Sequence, residues 1–406
     1  MDRLRGNLIV GQSGGPTAVI NNSLVGVVRE AIQQDCIEEV YGARWGVRGV
    51  LDETLMDLQR EHDSVLEGLR YTPSAALGSV RYKLKEDDYA RILEVFRAHN
   101  IRYLLYIGGN DSMSTAHRVH QLAEAEGYEL RAVGIPKTVD NDLVITDHCP
   151  GYPSAARFVA TAIRDTGWDT EAMGPSSPVK IMEIMGRDAG WLTAAAALAR
   201  QADEDAPHLV YVPERPVSVE QIGQDVLRCL EKYGRAVIAL SEGVRDETGE
   251  VIGAHQAVVE IDAFGHRLKG GAVEYLGQAL RDVVGTKVRY DRPNYLQRCF
   301  ASAVSSVDRE EAYLVGRAAV REAAAGRSDV MVTLVREPGP EYHCTTGLAP
   351  LANVADAVKK LPDDFMNEAG NFPTAKFIEY ARPLIGEPLA PYVRLKRCFI
   401  PKKAER

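Results

Sequence analysis

The stretch Pro136-Lys137-Thr138-Val139-Asp140-Asn141-Asp142 packs a lysine, a threonine and two carboxylates into one short loop. A lysine neutralises phosphate charge, and an aspartate binds a metal or takes a proton from a hydroxyl. Together they suit phosphoryl transfer to an alcohol. An Asx-rich turn with solvated charges uses the same residue types, so the loop by itself leaves both readings open. The apolar run Arg131-Ala132-Val133-Gly134-Ile135 leads into it as a strand. Open α/β sheets place their ligands at the carboxyl ends of strands.

Two other turns carry related chemistry. Gly14-Gly15, within Ser13-Gly14-Gly15-Pro16-Thr17, follows a strand and precedes a helix. Glycines there let backbone N–H groups approach an anion at a helix N-terminus. The pattern is neither GxGxxG nor GxxxxGK[ST], so neither a dinucleotide fold nor a P-loop is indicated. Gly108-Gly109-Asn110-Asp111-Ser112 repeats the arrangement with an acidic residue added. Further along, Met185-Gly186-Arg187 places an arginine for an anion, unless it pairs with Asp188, and Ser241-Glu242-Gly243 offers a carboxylate to sugar hydroxyls or simply a surface turn. Arg289, Arg292 and Arg298 fall within ten residues, a cluster suited to a doubly charged phosphate.

The elements that must position these residues alternate. Residues 7–10 read as a strand and 18–34 as a helix; 104–107 read as a strand, with a helix starting near Met113. The alternation continues through strands at 179–184, 208–212 and 236–240, with an alanine-rich helix over 193–200. Strand–Gly-rich turn–helix units predict a parallel sheet wound by helices. A domain change is expected near Pro150-Gly151-Tyr152-Pro153, and the segment after Glu337 reads as a wrapped C-terminal extension with a few short helices.

At 406 residues the chain exceeds one ordinary core, so two domains are expected. A net charge of −9 argues against nucleic acid as the main partner and requires a local Arg/Lys cluster for any anionic substrate. No apolar run is long enough to span a membrane. Residues 1–7 lead into a strand and not a signal-peptide core, and the six cysteines are scattered without a CxxC pair. A cytoplasmic location with reduced thiols is therefore expected. The basic residues 394–406 read as a solvated end.

The order of motifs resembles the phosphofructokinase family, in its pyrophosphate-using branch, over residues 7–345. The carriers are the Gly-Gly-Pro-Thr turn at Gly14, Gly-Gly-Asn-Asp-Ser at Gly108, Pro-Lys-Thr-Val-Asp-Asn-Asp at Pro136, Met-Gly-Arg at Met185, Pro-Glu-Arg-Pro at Pro213, Ser-Glu-Gly at Ser241 and Tyr-Leu-Gln-Arg at Tyr295. The resemblance implies an α/β protein with two doubly wound α/β domains. Residues 1–150, completed by part of 300–345, would take the phosphoryl donor with Mg²⁺; 151–299 would take the sugar phosphate; 346–406 would be the extension. It implies Asp140 as catalytic base and Lys137, Asp111 and Arg81 as further catalytic residues, with Gly15 at the donor. Thr138, Val139, Met185, Gly186, Arg187, Glu242, Tyr295, Leu296, Gln297 and Arg298 would bind substrate, and Arg289 would serve from a neighbouring subunit of a homodimer or homotetramer.

Two positions bear on the donor. ATP-using relatives carry glycine where this chain has Asp111 and Lys137. Two unit charges about 4 Å apart at an effective dielectric near 20 repel by about 4 kcal/mol, so Asp111 would disfavour a nucleotide α-phosphate roughly a thousandfold. The resemblance therefore implies transfer from pyrophosphate to fructose 6-phosphate. Its rivals are an ATP-dependent sugar-phosphate kinase and a non-catalytic sugar-phosphate-binding subunit. Three departures stand out. Asn110 occupies the place of an acidic magnesium ligand, Pro178 that of a second-subunit arginine (with Lys180 as a possible substitute), and Val25 that of an effector-binding arginine.

Overall fold

The computed structural model describes residues 4–80, 82–254, 258–261, 267–269, 271–355 and 357–403. Its strands are β1 (Gly6–Gln12), β2 (Ile37–Ala43), β3 (Leu55–Asp57), β4 (Ile101–Gly108), β5 (Arg131–Pro136), β6 (Val179–Ile184), β7 (Leu209–Tyr211), β8 (Ala236–Ser241), β9 (Val258–Ile261), β10 (Arg267–Lys269), β11 (Val288–Asp291), β12 (Val330–Arg336) and β13 (Cys344–Pro350). One sheet has the order β13-β12-β5-β4-β1-β2-β3, parallel except for its two edge strands. A second, all-parallel sheet has the order β11-β6-β8-β7, and β9 and β10 form a separate two-stranded pair. Central strands are buried along their length, as in β1, β6 and β8. A strand buried on both faces reads as a continuous apolar run, as β8 does, although β6 also buries Lys180 and Glu183.

The strand order locates the first ligand crevice. From β1 the chain moves one way to β2 and the other way to β4, so the connections diverge between β1 and β4. Ligands of open α/β sheets bind at the carboxyl ends of strands flanking such a switch point. Gly14-Gly15 leaves β1, Gly109 leaves β4, and Lys137 leaves the adjacent β5.

The first sheet is completed from far along the chain. The helix Ser306–Ala324 packs on the helix Ile20–Ala31 so closely that a Cβ on Gly26 would lie 2.3 Å from the Tyr313 carbonyl oxygen, and one on Gly316 2.1 Å from that of Ser23. Glu30 is buried there and accepts from Arg317 and Arg321 at 2.8 Å. Val25 lies on the same helix, fully buried in the core, and cannot reach a ligand. β13 carries the sheet to Pro350, five residues past position 345, where the sequence reading began its extension.

Beyond it, Leu351 and Val354 still pack with Met113 and Leu143 beside the first sheet, whereas residues 361–385 fold against the second half of the molecule. Leu361, Phe365, Phe377 and Leu384 join the core around the helix Tyr152–Met173. The alanine-rich segment is not one helix over 193–200: it is a short α-helix, Trp191–Ala194, followed by a 3₁₀ stretch, Ala195–Ala199. All of it is buried in that core, where packing overrides alanine's helix propensity. None of the helices among the described residues is long and apolar enough to cross a membrane.

A buried ionic network ties the loop after β5 to this frame. The His148 ring bonds Asp147 at 2.8 Å and Glu311 at 2.6 Å, Arg336 bonds Asp147, and Tyr342 donates to Glu311. Burial opposes the imidazolium, but the two carboxylates overcome it and raise the His148 pKa from 6.5 to about 9. A raised folded-state pKa stabilises the fold fully below pH 6.5, and the contribution is lost as pH rises through about 9. The urea midpoint of the wild type, measured relative to His148→Gln, should therefore fall between pH 6.5 and 9.5. Parallel pH curves for the two proteins would contradict the charged state assigned to His148.

Candidate active site

The turns at the carboxyl ends of β1, β4, β5 and β6 meet around an open cleft of about 1030 Å³. Its lining includes Gly15, Asn110, Asp111, Lys137, Asp140 and Arg187. The helix following β4 starts at Asn110, not near Met113, with Gly109 as a cap that supplies no side chain. Asn110 and Asp111 thus stand on its first turn, beside the free N–H groups and the positive end of the helix dipole.

Lys137 is almost fully buried, and its Nζ donates to the Gly15 carbonyl at 2.7 Å. A Cβ on Gly14, whose φ is +73°, would stand 3.0 Å from that Nζ, so glycine there keeps the cradle open. Burial, and then Arg298, lower the Lys137 pKa to about 8, while Asp140 and Asp142 resist. The ammonium is therefore close to the Gly14-Gly15 turn and poorly solvated, which strengthens its pull on an anion. Ser79 Oγ donates to the Gly14 carbonyl at 2.6 Å, bringing its segment to the Gly14-Gly15 turn. Arg81, two residues on, lies outside the described residues.

The loop turns at Asn141, whose φ is +56°, and presents Asp140 to the cleft. The Asp140 backbone N–H bonds Thr138 Oγ1 at 3.0 Å, whereas its Oδ1 is buried without a hydrogen-bond partner among the described residues. Burial, then Asp142 and Glu242, raise the Asp140 pKa to about 7, with Arg187 and Lys137 opposing. A carboxylate so placed is poised to take a proton near neutral pH. Burial also raises Asp142 and Glu242. Val139 faces the core, leaving only its backbone for a ligand.

Across the cleft, Met185, Gly186 and Arg187 leave β6 and Glu242 leaves β8, the adjacent parallel strand. Gly186 has φ +120°, and its N–H donates to Glu242 Oε1 at 3.3 Å. A Cβ on Gly243 would lie 1.9 Å from the Arg187 carbonyl oxygen, so the Ser-Glu-Gly turn can be this tight only with glycine. Gln297, buried on the short helix Leu296–Cys299, accepts from the Met185 N–H at 3.1 Å and fixes that loop. Asp188 pairs with Arg245, not with Arg187. Arg298 stacks on Tyr295 and reaches Gly15, where a Cβ would meet its Nη1 at 2.7 Å. Its guanidinium therefore stands at the Gly14-Gly15 turn, whereas a sugar-side place was expected of it.

Other expected residues lie elsewhere. Tyr295 and Leu296 are exposed and outside the described lining of this cleft. Arg289, on β11, pairs with Asp169 at 2.8 Å and is likewise outside that lining. Lys180 is committed to Asp291 at 2.7 Å, and Arg292 to Glu183 and Glu274. Ser13, Ser112 and Asp142 join the lining without having been singled out as contacts; their adjacency to the Gly-Gly turns and to Asp140 was the available signal.

No cluster of three or more acidic, His or Cys side chains that could hold a metal exists among the described residues. Asn110 Nδ2 does bond Asp142 at 3.2 Å, and Asn110 Oδ1 is buried and without a partner among the described residues. Mg²⁺ keeps several waters and is usually held by one or two carboxylates plus substrate phosphates. The Asn110 amide oxygen, with the Asp142 carboxylate beside the same amide, fits that habit.

A family model described as Phosphofructokinase matches residues 7–323. The chain belongs to the phosphofructokinase family. It is 43% identical to a pyrophosphate–fructose 6-phosphate 1-phosphotransferase of Rhodospirillum rubrum, over 99% of this chain and 100% of that protein. It is 42% identical to one of Xanthomonas campestris pv. campestris, over 98% of each chain. A crystal structure of a pyrophosphate-dependent phosphofructokinase from Marinobacter aquaeolei superposes with a TM-score of 0.86 at 38% identity, covering 98% of both chains. The two-sheet α/β architecture agrees with that likeness.

Proposed function

We propose that this chain transfers a phosphoryl group reversibly from pyrophosphate to the 1-hydroxyl of fructose 6-phosphate, giving fructose 1,6-bisphosphate and phosphate. The observation that carries the donor assignment is the pairing of a buried Lys137 ammonium against Gly15 with a carboxylate, Asp111, on the first turn of the neighbouring helix. A cation close to the turn suits a compact, highly charged donor. A carboxylate beside it disfavours a third phosphate and the nucleoside it carries.

In this reading the sugar lies against Met185, Gly186, Arg187 and Glu242, and its 1-hydroxyl points at Asp140. Asp140 takes the hydroxyl proton as the oxygen attacks phosphorus; the bond to the bridging oxygen breaks and phosphate leaves. Lys137, Arg298 and the backbone N–H groups after Gly109 offset the charge on the transferred group, which is most of what such catalysts supply. Asn110 and Asp142 would hold Mg²⁺, which when bound neutralises phosphate charge. Arg289, engaged with Asp169 from the edge strand β11, would serve the sugar phosphate of a neighbouring copy in a homodimer or homotetramer.

Reversibility supplies the test. Purified protein given fructose 1,6-bisphosphate, phosphate and Mg²⁺ should form pyrophosphate and fructose 6-phosphate, visible by ³¹P NMR. Release of phosphate without pyrophosphate would mark a hydrolytic activity and overturn the reading.

A further inference from the structure

The loop bearing Asp140 is held from behind by residues more than two hundred positions downstream, outside the segment matched by the family model. Lys359 donates its backbone N–H to the Asp142 carbonyl at 2.7 Å. Its Nζ donates to the carbonyls of Thr146 at 3.1 Å and Asp147 at 2.9 Å. Tyr380, on the helix Ala375–Ala381, takes a hydrogen bond from Asn141 Nδ2 at 3.0 Å and donates its own hydroxyl to the Asp147 carbonyl at 2.9 Å. Asn141 Oδ1 then accepts from the Cys149 N–H, closing the loop on itself.

The same segment grips the opposite wall. Trp191 Nε1 donates to the Lys359 carbonyl at 2.9 Å, and the Lys359 ammonium lies 5.0 Å from the centre of the Trp191 ring. Glu214 Oε1 accepts from the N–H groups of both Gly190 and Leu361 at 2.9 Å. Gly190 and Trp191 follow Arg187 and Ala189 in the loop that lines the cleft. One short stretch, residues 359–361, is therefore bonded to the Asp140 loop on one side and the Arg187 loop on the other.

We infer that residues 359–361 and Tyr380 form a brace that sets the spacing between the Asp140 and Arg187 loops, with Lys359 and Tyr380 as positioning residues for the transfer. A partly buried ammonium is costly unless its donors are used, and Lys359 spends them on two loop carbonyls. The left-handed turn at Asn141 is likewise held by side-chain bonds that Tyr380 completes. Placement errors of about 1 Å at a reacting group cost on the order of a hundredfold in rate, so a brace of this kind acts on kcat.

The inference rests on the proposed transfer, and the experiment separates the two. Full-length Tyr380→Phe and Lys359→Met are assayed beside the wild type with fructose 6-phosphate, Mg²⁺ and either pyrophosphate or ATP. Wild-type turnover with ATP alone would sink the donor reading, yet the variant-to-wild-type ratio would still report on the brace. Each variant should lose about tenfold or more in kcat per folded molecule, with KM for both substrates within about twofold, the signature of an interaction used in the transition state. Both side chains bond the Asp147 carbonyl, so the double variant should lose less than the product of the single losses. A purely structural role would lower the melting temperature and leave kcat per folded molecule unchanged. Tyr380→Phe keeps the ring packed against the core, so it reports even if Lys359→Met folds poorly. Values of kcat within twofold of wild type in the folded variants would overturn the brace.

Discussion

Asp140→Asn should reduce turnover by about 10²–10⁴-fold while leaving fructose 6-phosphate binding largely intact, the range expected when a general base is removed. The amide reproduces the carboxylate's shape but cannot take the proton. The structure adds a second, opposite effect on stability. Burial and the neighbouring carboxylates Asp142 and Glu242 hold the Asp140 pKa near 7, well above its ordinary 3.8. A carboxylate raised in the fold costs stability whenever the solution pH exceeds its unfolded value. Asp140→Asn should therefore melt no lower than the wild type at pH 7.5. Loss of activity without loss of stability separates a catalytic group from a structural one. A variant keeping more than half of wild-type kcat would remove Asp140 as the base.

The second large effect concerns the donor. Lys137→Gly combined with Asp111→Gly should sharply lower pyrophosphate-dependent kcat, because the ammonium bonded to the Gly15 carbonyl would be gone from beside the transferred group. A charge-assisted contact contributes about 1.5–3 kcal/mol, which is roughly ten- to a hundredfold in rate if it is realised in the transition state. The Asp111→Gly half should relax discrimination against ATP. Both residues face the same cleft, so their effects should be non-additive. Wild-type pyrophosphate activity in the double variant would show that neither residue acts on the donor.

The site was legible in the sequence wherever its chemistry was local. Gly14-Gly15, Gly108-Gly109 and the loop from Lys137 to Asp142 each sit within a few residues of a buried strand, so a turn, a charge and an apolar run appear together. Boundaries were less clear. The helix at Asn110 has no side-chain cap to announce it, so its start was expected three positions later, near Met113. The alanine run at 194–199 suggested a regular helix because propensity is all that an isolated stretch displays, whereas its burial on both sides decided the 3₁₀ form. The brace at Lys359 and Tyr380 had no local signature. Its meaning depends on carbonyls at 146 and 147, and such pairing exists only after the chain has folded. The arginine cluster marked Arg298 only as suited to a phosphate, and the family resemblance placed it on the sugar side; its approach to Gly15 joins residues far apart in the sequence and exists only in the fold.

The central claim is that pyrophosphate, not ATP, is the phosphoryl donor. It is tested most directly by initial rates of fructose 1,6-bisphosphate formation from fructose 6-phosphate and Mg²⁺, with each donor supplied in turn to the same purified protein. The account predicts sustained turnover with pyrophosphate and a kcat/KM at least a hundredfold lower with ATP, the scale set by the roughly thousandfold cost of placing a phosphate beside Asp111. Equal or better rates with ATP would contradict it.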